Sequence, residues 1–176
     1  MITRMKHTLL LLLLASGAVA TQDTAEKANA RALTLLAEGD ALGAEASALQ
    51  SLEESSRFDP QTEIVDRPEK GILFEDMITK ARDSYRERRG RYYLTLGRAL
   101  TRLERWMEAR KALRRAASLM SLADPYLVMS SHADLSVPVR VDLLLKAYFA
   151  TGADPAAVKR ALWDTGAFVG PSALQA

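Results

Sequence analysis

Apolar residues recur along most of the chain at three- and four-residue steps, the period of one face of a helix. Phe74, Met77, Ile78, Ala81 and Tyr85 form one such stripe, and Tyr93, Leu96, Leu100 and Leu103 continue it. Strand signals are almost absent, with no alternating Val/Ile/Thr run and no Asn-Gly or Asp-Gly hairpin. The pattern predicts a first helix over about Thr24 to Glu38, ended by Gly39, and a second over about Ala41 to Arg57, capped by Asp40 and stopped at Asp59-Pro60. Residues 59–71 are polar, carry two prolines and have no apolar period, which predicts a loop insert. Helix resumes near Leu73. Gly90 either breaks it or is absorbed at a cost of about 1 kcal/mol relative to alanine. Further helices are expected over about Trp106 to Leu119, about Val139 to Thr151, and from Asp154-Pro155 to about Asp164, where a capping acid precedes a first-turn proline. Residues 120–138, punctuated by Pro125 and Pro138, read as an irregular connection, and 167–176 as a tail that frays.

The first twenty residues stand apart from this pattern. Met1 to His7 carries Arg4 and Lys6 and no acid; Thr8 to Ala20 is an apolar run, and polar Thr21-Gln22-Asp23 follows. The run is shorter than the roughly 20 residues that span a bilayer. Ala18-Val19-Ala20 ends it with small residues at the two positions that a signal peptidase reads, so residues 1–20 are expected to be a secretory signal. The alternative is an uncleaved N-terminal anchor. Cysteine is absent from all 176 residues, which excludes lipoprotein processing, a disulfide scaffold, a thiolate metal site and a cysteine nucleophile. A secreted chain without cysteine suits a bacterial periplasm best. No membrane span is expected once the leader is removed.

The central segment reads Tyr93-x-x-Leu96-Gly97-x-x-Leu100, then Ala109-x-x-x-Leu113-x-x-Ala116. It resembles the tetratricopeptide repeat, whose signature is an aromatic, Leu-Gly, an aromatic, then alanine and a large apolar residue. Gly97 stands where the paired helices of that family press together, and Ala109 where the second helix offers a matching hole. Two weaker copies flank this one. Gly39-Asp40, Ala44 and Ala48 repeat the spacing of Glu104, Ala109 and Leu113 at an offset of 65, and Tyr148, Gly152 and Ala157 repeat that of Leu100, Glu104 and Ala109. The resemblance implies an all-α fold: an antiparallel helix-pair solenoid of about three such repeats over 21–166, with an insert after the first. It also implies a scaffold that binds a protein or peptide partner and is no enzyme.

Charge changes the picture next. Residues 23–79 hold 13 acids and 5 bases, whereas 80–115 hold 13 bases and 4 acids, so a nearly neutral chain is internally polarised. Arg91, Arg98 and Arg102 recur at steps of seven and four and share a helix face, with Thr101 beside them. In the resembled family the first helix of each pair lines the groove that takes peptides. These four residues are therefore the expected partner-binding surface, and an acidic ligand would answer the arginines. The alternatives are internal neutralisation by the acidic helices, or a module that uses the Arg-rich segment on a polyanion or membrane surface. A net charge of +2 that disappears with the leader argues against nucleic acid.

Catalytic chemistry has one distant candidate. Ser130, Ser131, His132 and Asp134 supply the residue types of a hydrolase triad, but their closeness in sequence suits a polar capping loop better than three groups converging from separate elements. Glu53-Glu54 and Glu75-Asp76 are adjacent acids and point about 100° apart on a helix, which suits a solvated face. Trp106 and Trp163 read as core anchors. No cofactor and no metal is expected.

Overall fold

The computed structural model describes residues 23–57 and 72–166, with the side chains of 72–75, 77 and 78 set aside. The leader, the 59–71 insert, the 167–176 tail and the Phe74, Met77 and Ile78 side chains lie outside the described residues. The described residues form seven helices and no strand: α1 over 23–38, α2 Ala41–Ser56, α3 Ile72–Arg102, α4 Trp106–Leu119, α5 Asp124–Ser130, α6 Val137–Phe149 and α7 Pro155–Asp164. Successive helices pack on one another from α2 to α7, and α3 also touches α5.

Local chemistry explains most of these boundaries. Asp40 accepts from Gly43 N at 2.9 Å and caps α2, and Asp154 accepts from Ala156 N at 3.0 Å and caps α7. α3 runs through Gly90 as one helix of 31 residues. A β-carbon at Gly90 would lie 2.3 Å from Met120 Cγ, so the missing side chain lets the end of α4 press against α3. The irregular connection expected over 120–138 instead contains α5 and the start of α6. Its two prolines sit in the first turns of these helices, where proline costs no hydrogen bond, and act as starts rather than stops. The turns before α5 and after α6 are joined by an isolated parallel bridge, Leu122 with Thr151.

The core is a seam of small residues against large ones. Ala32, Ala48, Leu96, Leu100, Ala109 and Ala112 pack together where α1 to α4 meet. Leu94, Leu113, Ala116, Met120 and Met129 form the next layer, and Ala123, Leu144, Ala147, Val158 and Leu162 the last. α4 turns Ala109, Ala112, Leu113 and Ala116 inward at three- and four-residue steps. A β-carbon on Gly97 would lie 2.5 Å from both Cδ2 and Cγ of Leu113, so Gly97 is the seat of that leucine.

The three stretches of repeat-like spacing share one backbone feature. Gly39, Glu104 and Gly152 have φ of +90°, +58° and +74°, and each stands in the turn between two helices. The left-handed conformation costs an L-residue roughly 1–2 kcal/mol, which glycine avoids. Glycine in turn adds about 0.5–1 kcal/mol of unfolded-chain entropy. Glu104→Gly is therefore expected to raise stability by up to about 1 kcal/mol, while Glu104→Ala, still a left-handed L-residue, leaves it unchanged. Urea midpoints of the two variants check this; equal midpoints would remove strain from the account of this turn.

The last helix pair departs from the spacing of the central one. Tyr148 and Ala157 are exposed, whereas Leu100 and Ala109 are buried. α7 buries Val158 and Leu162, one residue later than the spacing implies, which rotates its inward stripe by about 100°. Trp163 lies off this stripe and faces outward. It is 63% exposed and does not anchor the core.

Candidate functional site

The three arginines at steps of seven and four lie along α3, and each meets a different acceptor. Arg91 pairs with Glu87 on its own helix at 2.6 Å. Arg98 pairs with Asp124, the first residue of α5, at 2.7 Å. Arg102 donates to the Leu36 carbonyl in the last turn of α1, where the helix dipole favours a cation. The face thus reaches α1 at one end and α5 at the other. Arg98 and Asp124 remain half-exposed, so this pair is a surface interaction worth about 0–1 kcal/mol.

Acidic and basic halves of the chain meet elsewhere too. Arg105 lies between Glu45 of α2, at 2.7 Å, and Glu108 of α4, and Arg88 approaches Glu26 of α1 at 3.9 Å. The hydrogen bond to Glu108, then that to Glu45, holds the Arg105 guanidinium even more firmly protonated than usual, and Arg105 holds the Glu108 carboxyl below its ordinary value. On the outer side of α4, Lys111, Arg114 and Arg115 are exposed.

Thr101 lies apart from this arginine chemistry, because its hydroxyl is turned inward. It donates to Gly97 O at 2.7 Å and meets His132 Nε2 at 2.9 Å. A threonine hydroxyl has one proton, already given to Gly97, so the ring nitrogen is the donor of the second bond. His132 therefore carries a proton on Nε2. The ring is fully buried, its centroid 5.1 Å from that of Trp106 with the planes tilted by 43°, and its Nδ1 has no hydrogen-bond partner. Arg140 of α6 donates to the His132 carbonyl at 3.2 Å, and Asp134 binds Arg110 of α4 at 2.7 Å. Burial pushes the His132 pKa down, Arg110 adds to that, and Asp134 opposes it. The Arg110 bond holds the Asp134 carboxyl below its usual range.

The triad residue types are not brought together. Ser130 and Ser131 donate to Leu127 O and Val128 O, carbonyls of their own helix, and the His132 ring bonds Thr101 instead. The Thr101–His132 contact spans 31 residues of sequence, and no periodicity or motif signals it.

A third surface lies between the last two helices. Leu145, Tyr148 and Phe149 of α6, with Lys159, Leu162 and Trp163 of α7, line an open groove of about 420 Å³. Phe149 is 82% exposed, and Tyr148 meets it edge to face at 5.3 Å. Exposed aromatic surface gathered in one place is unusual for a lone helix pair. Trp163 on the outer side of α7 lies beside the aromatics of α6 in this lining.

Among the described residues no group of three or more His, Asp or Glu side chains could hold a metal ion, and no helix is long and apolar enough to cross a membrane. Comparison of the chain with protein-family models, with curated proteins and with solved structures finds no match.

Proposed function

We propose that this chain is an exported, tetratricopeptide-like scaffold that binds a protein or peptide. The observation that carries this reading is the shared register of its turns. Residues 39, 104 and 152, which the repeat spacing makes equivalent, all adopt left-handed backbone between two helices. The Gly97 seat for Leu113 supports it further, because close approach of paired helices is what the family's glycine implies. A stack of helix pairs is an extended surface suited to another chain. Export rests on the leader sequence of residues 1–20, and the periplasm on the absence of cysteine.

A second reading has one observation in its favour. Lys111, Arg114 and Arg115 share the exposed side of α4, and no ion pair among the described residues engages the two arginines. Such a face suits a polyanion or an anionic membrane surface.

Selection of peptides from a displayed library on immobilised chain 21–176, followed by binding isotherms at low and high salt, tests both. The scaffold reading expects saturable one-to-one binding with a shallow salt dependence. Binding that collapses with salt and is reproduced by heparin overturns it in favour of the polyanion module. The double variant Arg98→Gln, Arg102→Gln locates the surface. Their acceptors are internal, so melting is expected to fall slightly, by about 1 kcal/mol or less per pair. Affinity that drops while melting holds would place an acidic ligand on that face.

A further inference from the structure

His132 is a buried titratable group that a binding scaffold does not require. It lies where three parts of the fold meet. Its ring hydrogen-bonds α3 through Thr101 and packs at a tilt against Trp106 at the start of α4, and its carbonyl accepts from Arg140 of α6. The turn between α5 and α6 thus rests on the α3–α4 hairpin through this imidazole and the adjacent Arg110–Asp134 pair, beside the apolar packing of Met129 against Leu94 and Leu113. We propose that His132 is a protonation-sensitive latch, which holds the α5–α6 segment on the α3–α4 hairpin while neutral and releases it when the ring takes up a second proton.

The geometry sets the sign. The arriving proton would go to Nδ1, which is buried and faces no acceptor. The charged groups around the ring are Arg110 from α4, Arg140 from α6 and Asp134 from its own turn; α3 offers the Thr101 hydroxyl, and the one charged residue of α5, Asp124, is held by Arg98. Two of the three nearby charges are cations, and the carboxylate already serves one of them. An imidazolium here would be desolvated and repelled, so the folded form binds this proton less well than the unfolded chain does. A depressed histidine pKa contributes stability that is fully present above the unfolded value of about 6.5 and is lost as pH falls below it. One proton makes the opening equilibrium about tenfold more favourable per pH unit until the folded pKa is reached. The opening is local, because His132 belongs to the α5–α6 side of the contact and its bonds and ring contact run to Thr101, Trp106 and Arg140.

Hydrogen exchange on the whole chain tests the latch, read as protection factors for α5–α6 and for α2 at neutral pH and at about pH 5. Protection of α5–α6 is expected to fall by roughly tenfold or more, with α2 unchanged. His132→Phe, which keeps a ring against Trp106, should abolish the step. Two charge variants keep the imidazole and move its midpoint in opposite directions. Arg110→Gln removes a repelling cation and frees Asp134, so the midpoint rises. Asp134→Asn removes the attracting charge, so it falls. Equal loss of protection in α2 and α5–α6, a step that persists in His132→Phe, or midpoints that ignore both charge changes would each overturn the proposal. Should His132→Phe fail to fold, the opposed shifts of the two charge variants decide.

Discussion

Leu113→Ala is expected to destabilise the chain by about 2–5 kcal/mol, the range for emptying a leucine site in a packed core. Leu113 is fully buried and packs with Leu94, Ala116, Met120 and Met129. Side chains from three helices surround the site, so little of the vacated volume can close. Its contact with Gly97 gives the experiment a sharper form. In the natural chain, Gly97→Ala gains about 1 kcal/mol of helix propensity and meets an overpacking cost of about 1–3 kcal/mol. The new β-carbon would lie 2.5 Å from Leu113 Cγ, near the root of a side chain that has nowhere to move. The net effect is destabilising. With Leu113 already cut to alanine, the clash is gone and the propensity gain remains, so the same substitution becomes neutral or stabilising. Urea midpoints around this double-mutant cycle measure the reversal. A Gly97→Ala effect of the same sign and size in both backgrounds would show that the two residues do not meet.

Overpacking the seam between the first and second helix pairs gives the second large effect. Ala109 is fully buried, with Ala32, Ala48, Leu96, Leu100 and Ala112 around it. Ala109→Leu adds three carbons where four helices meet and is expected to cost about 1–3 kcal/mol, more if the α1–α2 pair is displaced. No glycine is involved, so backbone freedom does not confound the result. Ala157 is the built-in control. It occupies the same place in the repeat spacing but is exposed on the rotated α7, so Ala157→Leu should stay within about 0.5 kcal/mol of the natural chain. Denaturant midpoints of the pair separate the two positions. An unchanged midpoint for Ala109→Leu would mean that this face of α4 does not pack.

Much of the helical layout is legible in the residues. Asp40 and Asp154 announce α2 and α7, because a short acid before a helical run satisfies amides that the helix cannot. Trp106 to Leu119 is readable from its apolar stripe alone. Asp124-Pro125 has the form of Asp154-Pro155, but Asp124 lies within α5, caps nothing and pairs with Arg98, and helix propensity over seven residues is too weak to stand out beside two prolines. Of the expected binding surface, the common helix face of Arg91, Arg98 and Arg102 follows from the period of 3.6. Their acceptors do not, since Asp124 and the Leu36 carbonyl come from helices that spacing on α3 cannot locate.

The sequence by itself determined the all-helical class, the starts and stops of most helices outside 120–138, and the glycine turns at residues 39 and 152. These are local matters, settled by caps, prolines, glycines and apolar period within a few residues. Tertiary structure alone decided which helix neighbours which arginine, that α7 buries Val158 and Leu162 and leaves Trp163 outside, and that Thr101 turns from the surface to hold His132. Each of these depends on contacts between residues far apart in sequence. Their free energy comes from shape and charge that exist only once the helices have packed.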